Sequence, residues 1–258
     1  MNPIDHLKFK HPFTAVVAGP SSSGKTSFVR NVLKFYECTS TLEKESISVL
    51  WCYGQWQDSY SNIISEKVSV EYHEGVPSLD ILESVKPDII VLDDLMFEVA
   101  SDHKVAKLFT MFSHHNNISV IFITQNLTLK GKGVIEINRN TMYIVLFKNA
   151  RDGHAVSTVG QQVMRDNKRH FKDSFNDATS CPYGYLLVDC HPTTPREFTL
   201  KTNIISDGGI QADIYAEKKT DIEKLKALLS PPGTPYGNKR QEFTEKTDQM
   251  VFEERQLQ

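Results

Sequence analysis

A wound α/β fold on a mainly parallel sheet is expected for this chain, and three observations point to it. Short apolar runs rich in β-branched residues recur at intervals that leave room for helices between them. Several of these runs are apolar at nearly every position, as in parallel strands covered on both faces. A Gly/Ser-rich loop carrying one lysine joins the earliest run to a segment of helical periodicity. A length of 258 residues suits one large α/β domain.

Phe13–Ala18 (FTAVVA), set between Pro12 and Gly19, reads as a buried strand. From Thr26 to Phe35 the residues Phe28, Val29, Val32, Leu33 and Phe35 recur at helical spacing, so a helix follows the glycine loop at once. Ser48–Tyr53 (SVLWCY) is a second strand, and Val68–Tyr72 alternates as an edge strand does. Asp88–Leu92 (DIIVL) is apolar after its first residue. Asp102–His115 reads as a helix through Val105, Leu108, Phe109 and Phe112, with Ser101 or Asp102 as its cap. Ile118–Ile123 (ISVIFI) and Met142–Phe147 (MYIVLF) are two further buried strands. After Asp152 the text turns helical, polar and loop-rich, and strands return at Tyr185–Asp189 and Glu197–Leu200. Past Ser206 the apolar density collapses. Ile222–Leu229 reads as a short amphipathic helix, SPPGTPYG as a linker, and 238–258 as a polar, mobile end.

Composition narrows the function classes. The 29 basic and 32 acidic residues leave a formal charge of −3, so any nucleic-acid contact must come from a local patch. No run of 18 apolar residues exists, and MNPIDHLKFKHPF has no apolar signal core; neither a membrane partner nor secretion is expected. Four cysteines (Cys38, Cys52, Cys181, Cys190) in a chain of this length read as reduced thiols. Cys181, Cys190 and His191 fit no zinc spacing.

The chemistry concentrates in three short segments. Gly19-Pro20-Ser21-Ser22-Ser23-Gly24-Lys25-Thr26 fits G-x-x-x-x-G-K-[ST], the Walker A loop, in its strand–loop–helix context. Glycines let backbone N–H groups turn inward around phosphate oxygens, Lys25 reaches the β- and γ-phosphates, and the Thr26 hydroxyl holds Mg²⁺. With Ser27, these residues form the expected nucleotide-binding set: Gly19, Ser21, Ser22, Ser23, Gly24, Lys25, Thr26 and Ser27. Asp93 and Asp94 close the apolar run IIVL, as in a Walker B strand. Asp93 is assigned to the metal and Asp94 to the attacking water, with Glu98 as the fallback base. ISVIFI ends at Thr124-Gln125-Asn126; Gln125 is taken as the polar residue that senses the γ-phosphate, ahead of Asn126. The expected fold class is therefore an α/β P-loop NTPase (RecA/ASCE-like), with helices on both faces of the sheet and a short C-terminal extension.

GPSSSGKTSF after FTAVVA, then IIVLDDLM, IFITQN and YIVLFKNARD, form an ordered set across residues 13–152. This set resembles the viral genome-packaging ATPases of the FtsK–HerA superfamily, in the poxvirus-type and Polinton/adintovirus-type branch. The segment YGYLLVDCHPTTPREFTLKTNI, following FNDAT, is similar to the C-terminal part of that branch, so the likeness reaches about Ile205. Members often carry Glu where this chain has Asp94, and Ala150 stands where a proline is typical. The resemblance implies an ATPase using ATP and Mg²⁺, assembled as a homo-oligomeric ring that drives double-stranded DNA into a viral capsid or its portal vertex. It also implies an intracellular site of action, in the host nucleus or cytoplasm at assembling virions. In such rings an arginine completes the neighbour's site; Arg151 is the candidate and Arg139 the runner-up. The domain limits expected are an N-terminal arm over 1–11, the ATPase domain over 12–205 and a polar tail with a short helix over 206–258.

Three weaker signals complete the reading. Lys130 and Lys132, in the glycine-containing loop after Asn126, are read as solvated or as contacts to DNA phosphates. Arg165, Lys168, Arg169 and Lys172 read as a solvated helix face. Trp51, Tyr53 and Trp56 read as core packing, with a base stacked on Tyr53 or Trp56 as the alternative. The other functions compatible with the loop are a P-loop helicase or AAA-type remodelling ATPase, and a nucleotide-gated switch or small-molecule kinase. The guanine-specific N-K-x-D motif is absent from the chain.

Overall fold

The computed structural model describes residues 3–62, 64–95, 98, 117–127, 137, 139–151, 153–206, 209, 210, 212–217 and 222. Strand β1 (Thr14–Ala18) leads through the glycine loop into α1 (Lys25–Lys34) and the short α2 (Tyr36–Thr39). Next come β2 (Ile47–Tyr53), β3 (Val68–Glu74), α3 (Leu79–Val85), β4 (Ile89–Asp93), β5 (Ser119–Thr124) and β6 (Tyr143–Phe147). Helices α4 (Gly153–Val163) and α5 (Lys168–Ala178) precede β7 (Tyr185–Asp189) and β8 (Leu200–Thr202). The two-residue strands β9 (Ile205–Ser206) and β10 (Gly209–Ile210) pair antiparallel, and β11 (Asp213–Ile214) closes the series.

One sheet runs in the order β11-β8-β7-β6-β1-β5-β4-β2-β3. From β3 to β6 every pairing is parallel; β7, β8 and β11 extend it antiparallel. The strand before the glycine loop thus lies between β6 and β5, and β5 separates it from β4. This is the mainly parallel P-loop NTPase arrangement. Every residue of β1, β4 and β5 is buried, because helices cover the sheet from both sides. On one face Phe28, Val29, Val32 and Leu33 of α1 pack with Ala15, Val17, Val49, Trp51 and Ile121. On the other, Leu82 of α3 meets Leu50, Ile90 and Val120, while Val159 of α4 and Phe171 and Phe175 of α5 meet Leu146, Leu186 and Val188. A side chain such as Leu33, wholly removed from water, contributes roughly 1.5–3 kcal/mol.

β3 is the edge strand that its alternation announces, and it continues to Glu74. One expected strand is corrected. Over Glu197–Leu200 the chain forms a 3-10 turn, Arg196–Phe198, and the strand starts only at Leu200. Pro195, at φ −61°, sets up the turn; its carbonyl accepts from Phe198 N at 2.9 Å, and Phe198 is buried there. The spacing of Phe198 and Leu200 imitates strand alternation although only Leu200 is in the strand.

Residues 3–11 pack on the core. Leu7 and Phe9 are buried, Phe9 N donates to Thr39 O at 2.7 Å, and the Phe9 ring meets Tyr143 edge-on at 4.8 Å. At the far end β11, beyond residue 205, pairs with β8. The helix expected over Asp102–His115 with its cap, most of Ile222–Leu229 and the tail after it lie outside the described residues. Among the described residues no helix is long and apolar enough to cross a membrane.

Lys201 on β8 and Asp189 at the end of β7 form an ion pair of 2.8 Å with side chains 1% and 0% exposed. Lys201 Nζ also donates to His6 O, tying the N-terminal turn to the sheet. Burial lowers the Lys201 pKa and the Asp189 carboxylate opposes that shift. Lys201→Met strands a buried carboxylate, so a loss of about 3–5 kcal/mol is expected in guanidinium unfolding. Adding Asp189→Leu should recover most of it; a loss under about 1 kcal/mol for the single variant, the scale of a surface pair, would contradict the assignment.

Candidate active site

Contacts within the chain fix the shape of the glycine loop. Gly19 N donates to Thr124 O at 3.2 Å, fastening the start of the loop to the end of β5. A Cβ at Gly19 would lie 2.6 Å from Phe147 Cβ and 2.9 Å from Ser23 Oγ, so only glycine lets the chain pass. Gly24 has φ +99°, a left-handed value that turns the chain into α1. Lys25 opens that helix, and its Nζ donates to Pro20 O at 2.8 Å across the loop. Burial lowers the Lys25 pKa, against the pull of Asp93 and Asp94. Ser23 Oγ is buried and has no hydrogen-bond partner among the described residues. A buried hydroxyl left in this state costs free energy that a phosphate oxygen would recover.

Asp93 ends β4 almost fully buried, and its Oδ2 accepts from Thr26 Oγ1 at 3.4 Å and from Tyr60 OH at 2.8 Å. Burial raises the Asp93 carboxyl pKa above its ordinary value, while the donors Tyr60 and Thr26 and the Lys25 charge counter it. Burial and the neighbouring Asp93 charge raise the Tyr60 pKa, which keeps that hydroxyl a donor. The donor set is hard oxygen, and Thr26 and Asp93 already lie side by side, so these residues fit Mg²⁺.

Asp94, the next residue, turns the other way. Its φ of +57° is one that Asp tolerates better than most residues, and its side chain is exposed at the strand tip. Gln125 Nε2 donates to Asp94 Oδ1 at 3.2 Å. The strand order makes this meeting possible, because β4 and β5 are neighbours in register, with Asp93 opposite Ile123. The structure therefore brings together Lys25, Thr26, Asp93, Asp94 and Gln125 on one edge of the sheet. A buried carboxylate beside a hydroxyl can hold a cation, and an exposed carboxylate held by an amide can order and deprotonate water.

Ser21, Ser22 and Ser27 are exposed around the loop mouth. Arg151 is exposed after β6, where its N donates to Asn149 Oδ1 at 3.0 Å; Arg139 is exposed before that strand. The strand β6 lies on the opposite side of β1 from β5 and β4. The fallback base Glu98 lies within an otherwise undescribed stretch, and Lys130 and Lys132 lie outside the described residues. Trp51 is wholly buried, while Tyr53 and Trp56 join Tyr60 in an aromatic cluster at the end of β2.

Two residues of the site escaped the sequence reading. Tyr60 comes from a 3-10 turn, Asp58–Ser61, with no motif around it; its ring stacks on Tyr72 at 5.5 Å and its carbonyl accepts from Tyr72 OH. Tyr183 lines the open cleft of about 540 Å³ that the glycine loop also lines, together with Asn31, Gln57 and Asn62. The signal available for Tyr183 was a tyrosine in a Pro/Gly turn directly before a strand.

No protein-family model matches the chain, and no curated protein matches it. Among solved structures it is similar to the genome packaging NTPase B204 of Sulfolobus turreted icosahedral virus 2 in complex with ATP-gammaS. That likeness has a TM-score of 0.46 and 16% identity over 78% of this chain and 97% of that one. The ATPase DotB of Legionella pneumophila gives 0.34 and 13%, over 52% of this chain and 40% of its own. The flagellar accessory protein FlaH of Methanocaldococcus jannaschii gives 0.37 and 13%, over 52% and 70%.

Proposed function

We propose that the chain is a Mg²⁺-dependent ATPase, working as a homo-oligomeric ring that moves double-stranded DNA into a viral capsid, with the capsid or its portal vertex as partner. The observation that carries the hydrolytic half is the pairing of two carboxylates with two distinct settings beside the glycine loop. Asp93 is buried against Thr26 and Tyr60, and Asp94 is exposed and held by Gln125. The motor half is supported by the ordered resemblance of GPSSSGKTSF, IIVLDDLM, IFITQN and YIVLFKNARD to packaging ATPases. On this reading the protein acts inside the host cell, where virions assemble.

The loop amides and Ser23 Oγ bind the phosphates, and Lys25 Nζ leaves Pro20 O to neutralise charge on the β- and γ-oxygens. Thr26 and Asp93 would hold Mg²⁺, which supplies further charge neutralisation on the phosphates when bound. Gln125 orients Asp94, and Asp94 Oδ accepts the proton of the water that attacks the γ-phosphorus while the bond from that phosphorus to the bridging oxygen breaks and ADP leaves. Arg151 serves the site of the adjacent subunit, stabilising charge on the transferring phosphoryl group.

Phosphate release measured with and without duplex DNA tests the reading. Duplex DNA is expected to stimulate hydrolysis, and removal of Mg²⁺ to stop it. Turnover indifferent to DNA would point to a switch, kinase or remodelling enzyme instead.

A further inference from the structure

We infer that Tyr183 is the platform on which the base of the bound nucleotide stacks, a role that rests on the nucleotide-site reading above. With Asp94 and Gln125 placed at the terminal phosphate, the strand order sets which way a nucleotide would lie. Its terminal phosphate has to face Asp94 and Gln125, at the tips of β4 and β5 on one side of β1. The nucleoside end then points to the opposite side, where β6 and β7 lie. β7 runs antiparallel to β6 with Tyr185 opposite Phe147, so the turn entering β7 reaches the same edge of the sheet as the glycine loop. Tyr183 is in that turn. A methyl group placed on Gly24 would lie 3.2 Å from Tyr183 Cδ1 and 3.5 Å from Tyr183 Cβ, which sets the ring against the loop itself.

Packing among the described residues does not account for this tyrosine. Its side chain is among the large hydrophobics left exposed, at 72%. Its φ of +62° is an uncommon conformation for an aromatic residue. The turn that presents it is closed by Gly184 N donating to Cys181 O at 3.1 Å, so the ring is offered from a fixed backbone. Ser27 and Asn31 of α1 line the same cleft. A flat aromatic face beside a phosphate site, on the nucleoside side and open to solvent, suits a purine ring, since aromatic stacking needs only a π-face. Tyr53 and Trp56, the aromatics that the sequence offers for this role, sit at the end of β2, on the terminal-phosphate side.

Calorimetric binding of two ligands, Mg·ATP and inorganic tripolyphosphate, to the full chain tests the inference. Tyr183→Asn removes the ring with a residue that accepts a positive φ, and Tyr183→Phe keeps the π-face. Tyr183→Asn is expected to weaken ATP roughly tenfold while leaving tripolyphosphate unchanged, and Tyr183→Phe to retain wild-type affinity for both. ATP affinity unaffected by Tyr183→Asn, or an equal loss for both ligands, would overturn the stacking role. A wild-type chain that binds neither ligand would overturn the nucleotide site as a whole; one that binds both, with Tyr183→Asn behaving like wild type, would overturn Tyr183 alone.

Discussion

Asp94→Asn is expected to bind Mg·ATP as the wild-type chain does and to hydrolyse it about 10²–10⁴-fold more slowly, the usual contribution of a positioned general base. The substitution is close to isosteric, and Asn accepts the φ of +57° at least as readily as Asp. Its amide oxygen can still accept from Gln125 Nε2, so the local geometry survives and only the proton-accepting capacity is lost. Asp93→Asn should behave differently. It sits buried between Thr26 and Tyr60, and it should weaken the Mg²⁺-dependent part of ATP binding. Single-turnover hydrolysis and equilibrium binding of both variants separate the two roles. Full turnover in Asp94→Asn would move the base elsewhere, with Glu98 next in line.

The second large effect concerns Arg151. Arg151 follows β6, which flanks β1 on the side away from β5 and β4, and in the proposed ring it serves the neighbouring subunit's site. Its exposure leaves it available to a neighbour. Arg151→Ala should bind ATP and lose on the order of 10³-fold in rate. Lys25→Ala should be inactive for a different reason, the loss of the charge that spans the loop. Mixing the two inactive proteins then restores activity. At an equal ratio about a quarter of head-to-tail interfaces combine an intact ATP site with an intact arginine. If the subunits assemble and exchange yet no ratio restores turnover, Arg151 has no trans role, and Arg139 takes its place in the same experiment.

The parts of this site that were legible in the sequence are those in which neighbours in space are also neighbours in the chain. The glycine loop packs its whole phosphate-binding set into one turn, and strand burial on both faces made β1, β4 and β5 visible as unbroken apolar runs ending in Asp93 and Gln125. Tyr60 and Tyr183 were not legible because topology, not spacing, brings them in. Tyr60 reaches Asp93 across 33 positions, and Tyr183 reaches Gly24 only because β7 runs back antiparallel beside β6. The same limit explains Glu197–Leu200, where the apolar spacing of a turn and that of a strand coincide until Pro195 is seen to close the turn. Lys201 stands in no motif, and its burial follows from Asp189 lying beside it on the next strand.

Displacement of a third strand from a DNA triplex tests most directly whether hydrolysis at this site moves duplex DNA. With Mg·ATP the wild-type assembly is expected to strip the third strand as it travels, while Asp94→Asn and wild-type protein with a non-hydrolysable analogue leave it in place. A wild-type assembly that hydrolyses ATP on the triplex substrate and never displaces the strand would contradict the account.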